Sequence, residues 1–176
     1  SAASDVYKRQ EELGVETLEL ELTCDDAESH QNVAAFIQSE IETTCPGLII
    51  NLRVVPMNQR LDDMTNGNFQ LAIHRTGSSV PNIVAKLGQY TTGHALNYGK
   101  YSNAEYDALY NETLASSDEE TIWNNSLDLE EMAQKSAVAI PVYRGATCQL
   151  VRPGLTGYYH HLIGVSFDFR DARFED

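Results

Sequence analysis

Basic residues are scarce in this chain. Its 12 Lys and Arg stand against 26 Asp and Glu, a net charge of −14 over 176 residues. Binding to phosphate backbones needs clustered cations, so this balance argues against nucleic acid as a partner and against docking on an anionic membrane. No apolar run approaches the ~18 residues of a membrane-spanning helix, and residues 1–14 lack the apolar segment of a signal peptide. Cysteine is sparse too. Cys24, Cys45 and Cys148 fit no metal-ligand spacing. A predicted helix of about 16 residues, ~24 Å long, separates the first two. A disulfide tolerates only about 4.4–6.8 Å between Cα atoms, so three free, partly buried thiols are expected.

Catalytic and cofactor signatures are also missing. There is no Gly-x-Ser-x-Gly elbow and no Gly-rich phosphate loop with its lysine. His160 and His161 are adjacent, so they cannot act as two ligands on one helical face. In an extended segment neighbouring side chains point to opposite faces. His30 and His94 stand alone, and the pairs Asp25-Asp26, Asp62-Asp63 and Glu130-Glu131 read as helix caps and solvated faces. The triplets at 111–113 and 124–126 match the glycosylation pattern but fall on predicted helices. No metal and no cofactor is expected, and no enzyme; the one enzymatic alternative is a small serine hydrolase using His74 with a neighbouring serine.

What remains is a good α/β pattern. Hydrophobic residues make up 42% of the chain, enough for a core. Leu18, Leu20 and Leu22 alternate with Glu19 and Glu21, which predicts a half-buried strand over 15–23. Asp25 with Glu28 three residues on has the form of a capping box. Val33, Phe36, Ile37 and Ile41 then recur at helical spacing until Pro46. Residues 48–55 predict a second strand, 58–67 a helix closed by Gly67, and 69–73 a third strand. This β-α-β-α-β order implies a mostly parallel sheet with right-handed crossovers.

Further on, a short helix is expected at Ile83–Leu87 and a longer one capped by Ser102 or Asn103, with Tyr106, Leu109, Tyr110 and Leu114 on one face. Another helix opens with Ser117 as cap and Glu120 three on, carrying Ile122, Trp123, Leu127, Leu129, Met132 and Ala133 as its apolar stripe. Residues 138–143 and 146–151 predict two short strands, the first weakened by Pro141. The tail over 165–176 is expected to be irregular. Residues 1–14 show no apolar periodicity and are expected to be a non-native or disordered leader, so that 15–176 form the folded lobe.

One stretch invites a functional reading. The third strand runs straight into His74, Arg75, Thr76, Gly77, Ser78 and Ser79. Open α/β sheets bind ligands outside the carboxyl ends of their strands. Arg75 suits a carboxylate, and serines, Asn82 and backbone amides suit hydrogen bonding. The alternative is an exposed loop.

Four segments taken together resemble the C-terminal lobe of family 5 extracellular solute-binding proteins, the oligopeptide-binding type that serves ABC importers. They are "RLDDMTNGNFQLAI" (60–73), "NYGKYSNAEYDALYNETLAS" (97–116), "AVAIPVYRGATCQLVRPGLTGYY" (137–159) and "GVSFDFRDARF" (164–174). The resemblance runs from about Glu16 to Asp176. It implies an α/β fold: a single lobe of a type II periplasmic-binding-protein fold, with a mixed, mostly parallel sheet flanked by helices. It also implies a second, N-terminal lobe outside this sequence, and hinge closure over a ligand. The implied function is the non-catalytic substrate-binding part of an ABC importer for peptides or a related small solute. The implied partners are that solute and ABC permease subunits, and the implied location is extracytoplasmic, periplasmic or as a cell-surface lipoprotein. Rival readings are a divergent sensor or interaction lobe without a transport ligand, and a homodimer formed through the surface where the other lobe would sit.

The resemblance also places His74, Arg75, Ser78, Ser79 and Asn82 at the cleft, with Tyr98 as a lower-ranked aromatic wall. The sequence departs from the family there. Arg75-Thr76 stand where peptide-binding members have Gly-Trp, and Ser79 where they have the aspartate that meets the peptide amine. Val80 stands for Tyr, Asn82-Ile83 for Asp-Pro, and Gln70 for the Asp after Phe69. An arginine beside two serines is a poor partner for an ammonium group and a better one for an anionic or neutral ligand.

Overall fold

The computed structural model describes residues 2–77, 82–145, 149–161 and 166–175. The chain divides into two compact units, residues 1–76 and 77–176, a division that the sequence reading did not anticipate.

The first unit is built on a three-stranded parallel sheet of order β2-β1-β3, in which β1 is Leu18–Asp25, β2 Leu48–Val55 and β3 Leu71–Ala72. Helix α2 (Glu28–Thr44) links β1 to β2, and α3 (Met57–Asn66) links β2 to β3. The ladder between β1 and β2 is continuous, from Leu18 opposite Leu48 to Asp25 opposite Val55. Leu22 and Cys24 on β1 pack with Ala34 of α2 and Ile50 of β2 to make the core, and Leu20, Ile37, Ile41, Leu71 and Ile73 surround it. β1 is the central strand, and its last four residues, Leu22 to Asp25, are all buried. Its alternation therefore ends in burial on both sides, as a strand covered by helices on both faces requires.

β3 is shorter than the five residues expected. Gln70 accounts for part of this, because its side-chain oxygen, rather than a backbone carbonyl, accepts from the Glu21 amide at 2.6 Å. Gly67 closes α3 with φ 76°, and its amide reaches back to the carbonyls of Asp63 and Met64. A Cβ there would touch nothing within 4 Å. Gly67→Ala is therefore expected to cost only the left-handed backbone penalty, roughly 1–2 kcal/mol, read as a lower urea midpoint.

Within the stretch expected to be a non-native or disordered leader the chain is ordered as a helix, α1 (Ala2–Leu13). The physical tie is Gln10. It is 6% exposed, and its amide donates to the carbonyls of Glu16 at 2.6 Å and Gly47 at 3.1 Å, satisfying two loop acceptors at once.

The second unit is helical at its centre. α4 (Ile83–Leu87), α5 (Ala104–Ala115) and α6 (Glu119–Lys135) surround a core of Leu87, Tyr106, Leu129 and Ala133. Asn103, rather than Ser102, caps α5 by accepting from the amides of Glu105 and Tyr106. The cap of α6 is Asp118, one residue later than the expected Ser117; it accepts from the Thr121 amide. The buried stripe of α6 is Ser126, Leu129 and Ala133, whereas Trp123 and Leu127 are exposed. Trp123 and Leu127 share a face, but it is rotated away from the Leu129–Ala133 face that meets α5. Leu114, at the far end of α5, is likewise exposed.

The strands expected at 138–143 and 146–151 do not form among the described residues. Pro141 supplies no ladder donor, and Ile140, Val142, Tyr143 and Leu150 are all exposed. The tail expected to be irregular instead supplies one strand to each of two small antiparallel pairs. β4 (Leu155–Thr156) pairs with β7 (Arg173–Phe174), and β5 (Tyr159–His160) with β6 (Phe167–Asp168). Ring contacts brace them: Phe167 stacks on Phe169 at 5.5 Å and meets the tilted ring of His160 at 5.1 Å, centroid to centroid.

Candidate functional site

In the first unit the parallel ladder brings the carboxyl ends of its strands to one edge. β1 delivers Asp25 there, and the amide of Ile73, just past β3, donates to the Thr23 carbonyl at 2.8 Å. His74 and Arg75 follow, both exposed. Among the described residues no carboxylate pairs with Arg75.

Behind this edge lies a buried polar network that the sequence did not disclose. Asp25 was expected to cap α2. The helix instead begins at Glu28 with Ala27 as its cap residue and no side-chain cap. Asp25 is 3% exposed and accepts three hydrogen bonds: from the Ala27 amide at 3.2 Å, from His30 Nδ1 at 2.6 Å and from Arg60 Nε at 3.2 Å. Burial alone would raise its carboxyl's pKa. The His30 and Ala27 hydrogen bonds and the charges of His30 and Arg60 outweigh that and hold it below its ordinary value.

Arg60, 2% exposed, is the hub. Besides Asp25, its Nη1 reaches the Ile73 carbonyl at 2.9 Å, His74 Nδ1 at 3.1 Å and, more weakly, Met64 Sδ at 3.4 Å. Beside it, Arg53 pairs with Asp63 at 2.7 Å. That bond, with help from Gln59, lowers the Asp63 carboxyl against the cost of burial. Thus Asp25 and Asp63, read from sequence as caps or solvated acids, are buried members of ion pairs. The only local hint was phase: Thr23 and Asp25 continue the polar, odd-numbered register of Glu19 and Glu21 into a stretch that the core must cover. Cys24 beside them is a packing thiol, pushed above its ordinary pKa by burial and by Asp25.

The other expected site residues lie outside the first unit or outside the described residues. Asn82 belongs to the second unit, where its carbonyl oxygen caps α4 by accepting from Val84 and Ala85. Tyr98 is half-buried in the same unit. Ser78 and Ser79 lie outside the described residues. So does Cys148, while Cys24 and Cys45 are buried free thiols. Among the described residues no cluster of His, Cys, Asp or Glu could hold a metal, and no helix is long and apolar enough to cross a membrane.

No protein-family model matches the chain. It is 30% identical over 171 residues to the dipeptide-binding protein of Lactococcus lactis subsp. cremoris, covering 94% of this chain and 31% of that protein. It is 25% identical over 146 residues to a protein of Escherichia coli named "Probable deoxycholate-binding periplasmic protein YgiS", covering 82% of this chain and 27% of that one. Among solved structures, the substrate-binding domain of an oligopeptide ABC transporter from Bacillus anthracis superposes with a TM-score of 0.84, over 99% of this chain and 34% of that one. At 18% identity that likeness is one of fold. The chain thus spans about a third of the length of the curated relatives it matches, 31% and 27%. In sequence and in fold, then, the chain is similar to about a third of these peptide- and solute-binding proteins.

Proposed function

We propose that this chain is part of the substrate-binding component of an ABC importer and that it contacts a peptide or related small solute at the carboxyl ends of β1 and β3. The observation that carries the reading is the likeness to a dipeptide-binding protein along 94% of the chain. The geometry supports it: exposed His74 and Arg75 stand at the strand ends, where open α/β sheets take their ligands. Arg75 pairs with a ligand carboxylate and His74 adds a hydrogen bond. The whole protein acts outside the cytoplasm and hands its solute to permease subunits.

The test is calorimetric titration of the intact two-lobed parent protein with a library of short peptides, beside Arg75→Ala. Loss of a charge-assisted hydrogen bond costs about 1.5–3 kcal/mol, so Arg75→Ala is expected to weaken binding roughly ten- to hundredfold. Unchanged affinity for every ligand that binds removes Arg75 from the site.

A further inference from the structure

We infer that Gln38 and Glu42 are an edge guard: two side chains of α2 that occupy the outward-facing backbone groups of Ile50 and keep β2 from pairing with a strand of a second copy of this protein.

The outward direction follows from the ladder. The Leu18 amide donates to the Gly47 carbonyl, and Leu18 stands opposite Leu48. Backbone groups alternate in direction along a strand, so the odd-numbered residues of β2 turn theirs towards β1 and the even-numbered ones turn theirs away. β1 agrees, because its Thr23 carbonyl faces the other way and accepts from the Ile73 amide just past β3. Among the described residues no strand lies on the outer side of β2. Ile50 is one of the outward-facing residues, and side chains of α2 take both of its backbone groups. Gln38 Nε2 donates to its carbonyl at 2.6 Å, and Glu42 Oε1 accepts from its amide at 3.0 Å. Gln38 and Glu42 are four residues apart and so share one face of the helix. Together they offer a donor and an acceptor to a single residue, as a neighbouring strand would.

The strand has little protection of its own. Leu48–Val55 holds six apolar residues in eight, no proline and one charge, Arg53. Natural edges are blunted by charges, proline or bulges. Arg53 does not serve that purpose, since it pairs with Asp63 at 2.7 Å. Ile49, Leu52 and Val54 are exposed. Short apolar segments of high β-propensity and low charge pair readily with copies of themselves. A twofold axis across this edge sets β2 antiparallel to the β2 of a second copy, so one surface serves both. A strand arriving there must displace both bonds to Ile50 before its own can form.

The experiment has two arms on the intact parent protein. In the first, hydrogen exchange resolved to the Ile50 amide by mass spectrometry compares wild type, Glu42→Ala and Glu42→Gln. Loss of the one hydrogen bond is expected to speed exchange about tenfold in Glu42→Ala. Glu42→Gln keeps an acceptor oxygen and is expected to stay near wild type, with the α3 amides unchanged in both variants. Equal Ile50 rates in wild type and Glu42→Ala overturn the inference. In the second arm, sedimentation velocity follows wild type and the double variant Gln38→Ala, Glu42→Ala over rising concentration. Wild type is expected to remain a monomer and the double variant to dimerise, and Val54→Lys, which places a charge on the edge, is expected to abolish that dimer. A double variant that stays monomeric at every concentration overturns the inference, as does a dimer that Val54→Lys leaves intact. The first arm needs only single variants, so it decides the matter even where the double variant does not fold.

Discussion

Arg60→Ala is expected to destabilise the first unit by about 3–5 kcal/mol, the usual cost of removing one member of a buried ion pair. The loss comes mainly from what remains. Asp25 stays buried, with His30 Nδ1 and one backbone amide as its partners, and the Ile73 carbonyl loses its 2.9 Å donor. Urea unfolding followed by far-UV circular dichroism measures it. The double variant Asp25→Asn, Arg60→Met removes both charges and is expected to recover a good part of the loss, because neither partner is then stranded. If Arg60→Ala costs less than about 1 kcal/mol, the value of an exposed pair, the network is not the support described above.

The same network sets an acid limit. The Asp25 carboxyl is held below its ordinary value, as is that of Asp63. A group whose folded-state pKa is depressed contributes fully above its unfolded value, about 4, and that contribution is lost as pH falls through the folded value. Wild-type stability should therefore fall below about pH 4 more steeply than that of Asp25→Asn, which has no such proton to gain.

Tyr106→Ala is expected to be as damaging to the second unit, again by about 3–5 kcal/mol, the range for truncating a buried aromatic. Tyr106 is fully buried among Leu87, Leu129 and Ala133. Its ring meets Tyr101 edge-on, with centroids 5.5 Å apart. Its hydroxyl donates to the Leu87 carbonyl at 2.8 Å, at the end of α4. Burial, with the neighbouring tyrosines and Asp107, pushes that hydroxyl's pKa up, so it remains a donor at alkaline pH. Tyr106→Phe keeps the ring and strands the carbonyl, so it should cost about 1–3 kcal/mol. The only tryptophan, Trp123, lies on α6, which packs against α5, and its fluorescence during urea titration reports this unit directly. Equal costs for Phe and Ala would show that the hydroxyl, rather than ring packing, holds α4 to α5.

Sequence legibility followed the range of the interactions. The Leu18–Leu20–Leu22 alternation, the β-branched run at 48–55 and the αL glycine at 67 are written within a few residues, and each element lies where expected. The interior of α6 was only half legible. Apolar residues occupy more than one of its faces, and contact with α5 decides which face is buried. The strands expected at 138–143 and 146–151 do not form among the described residues, for the opposite reason: strong β-formers do not make a strand where no partner accepts their backbone groups.

The candidate site divides the same way. By itself the sequence determined the fold class, the parallel order of the first three strands and the position of His74 and Arg75 just past the third, because periodicity and turn residues are local signals. Only the tertiary structure decided that Asp25, His30 and Arg60 stand behind them. Asp25 and Arg60 are 35 residues apart. They meet because a parallel ladder brings both strand ends, and the helix ends beside them, to one edge of the sheet. A charge with no such partner would have been driven to the surface by the cost of leaving water. Paired there, it is held inside.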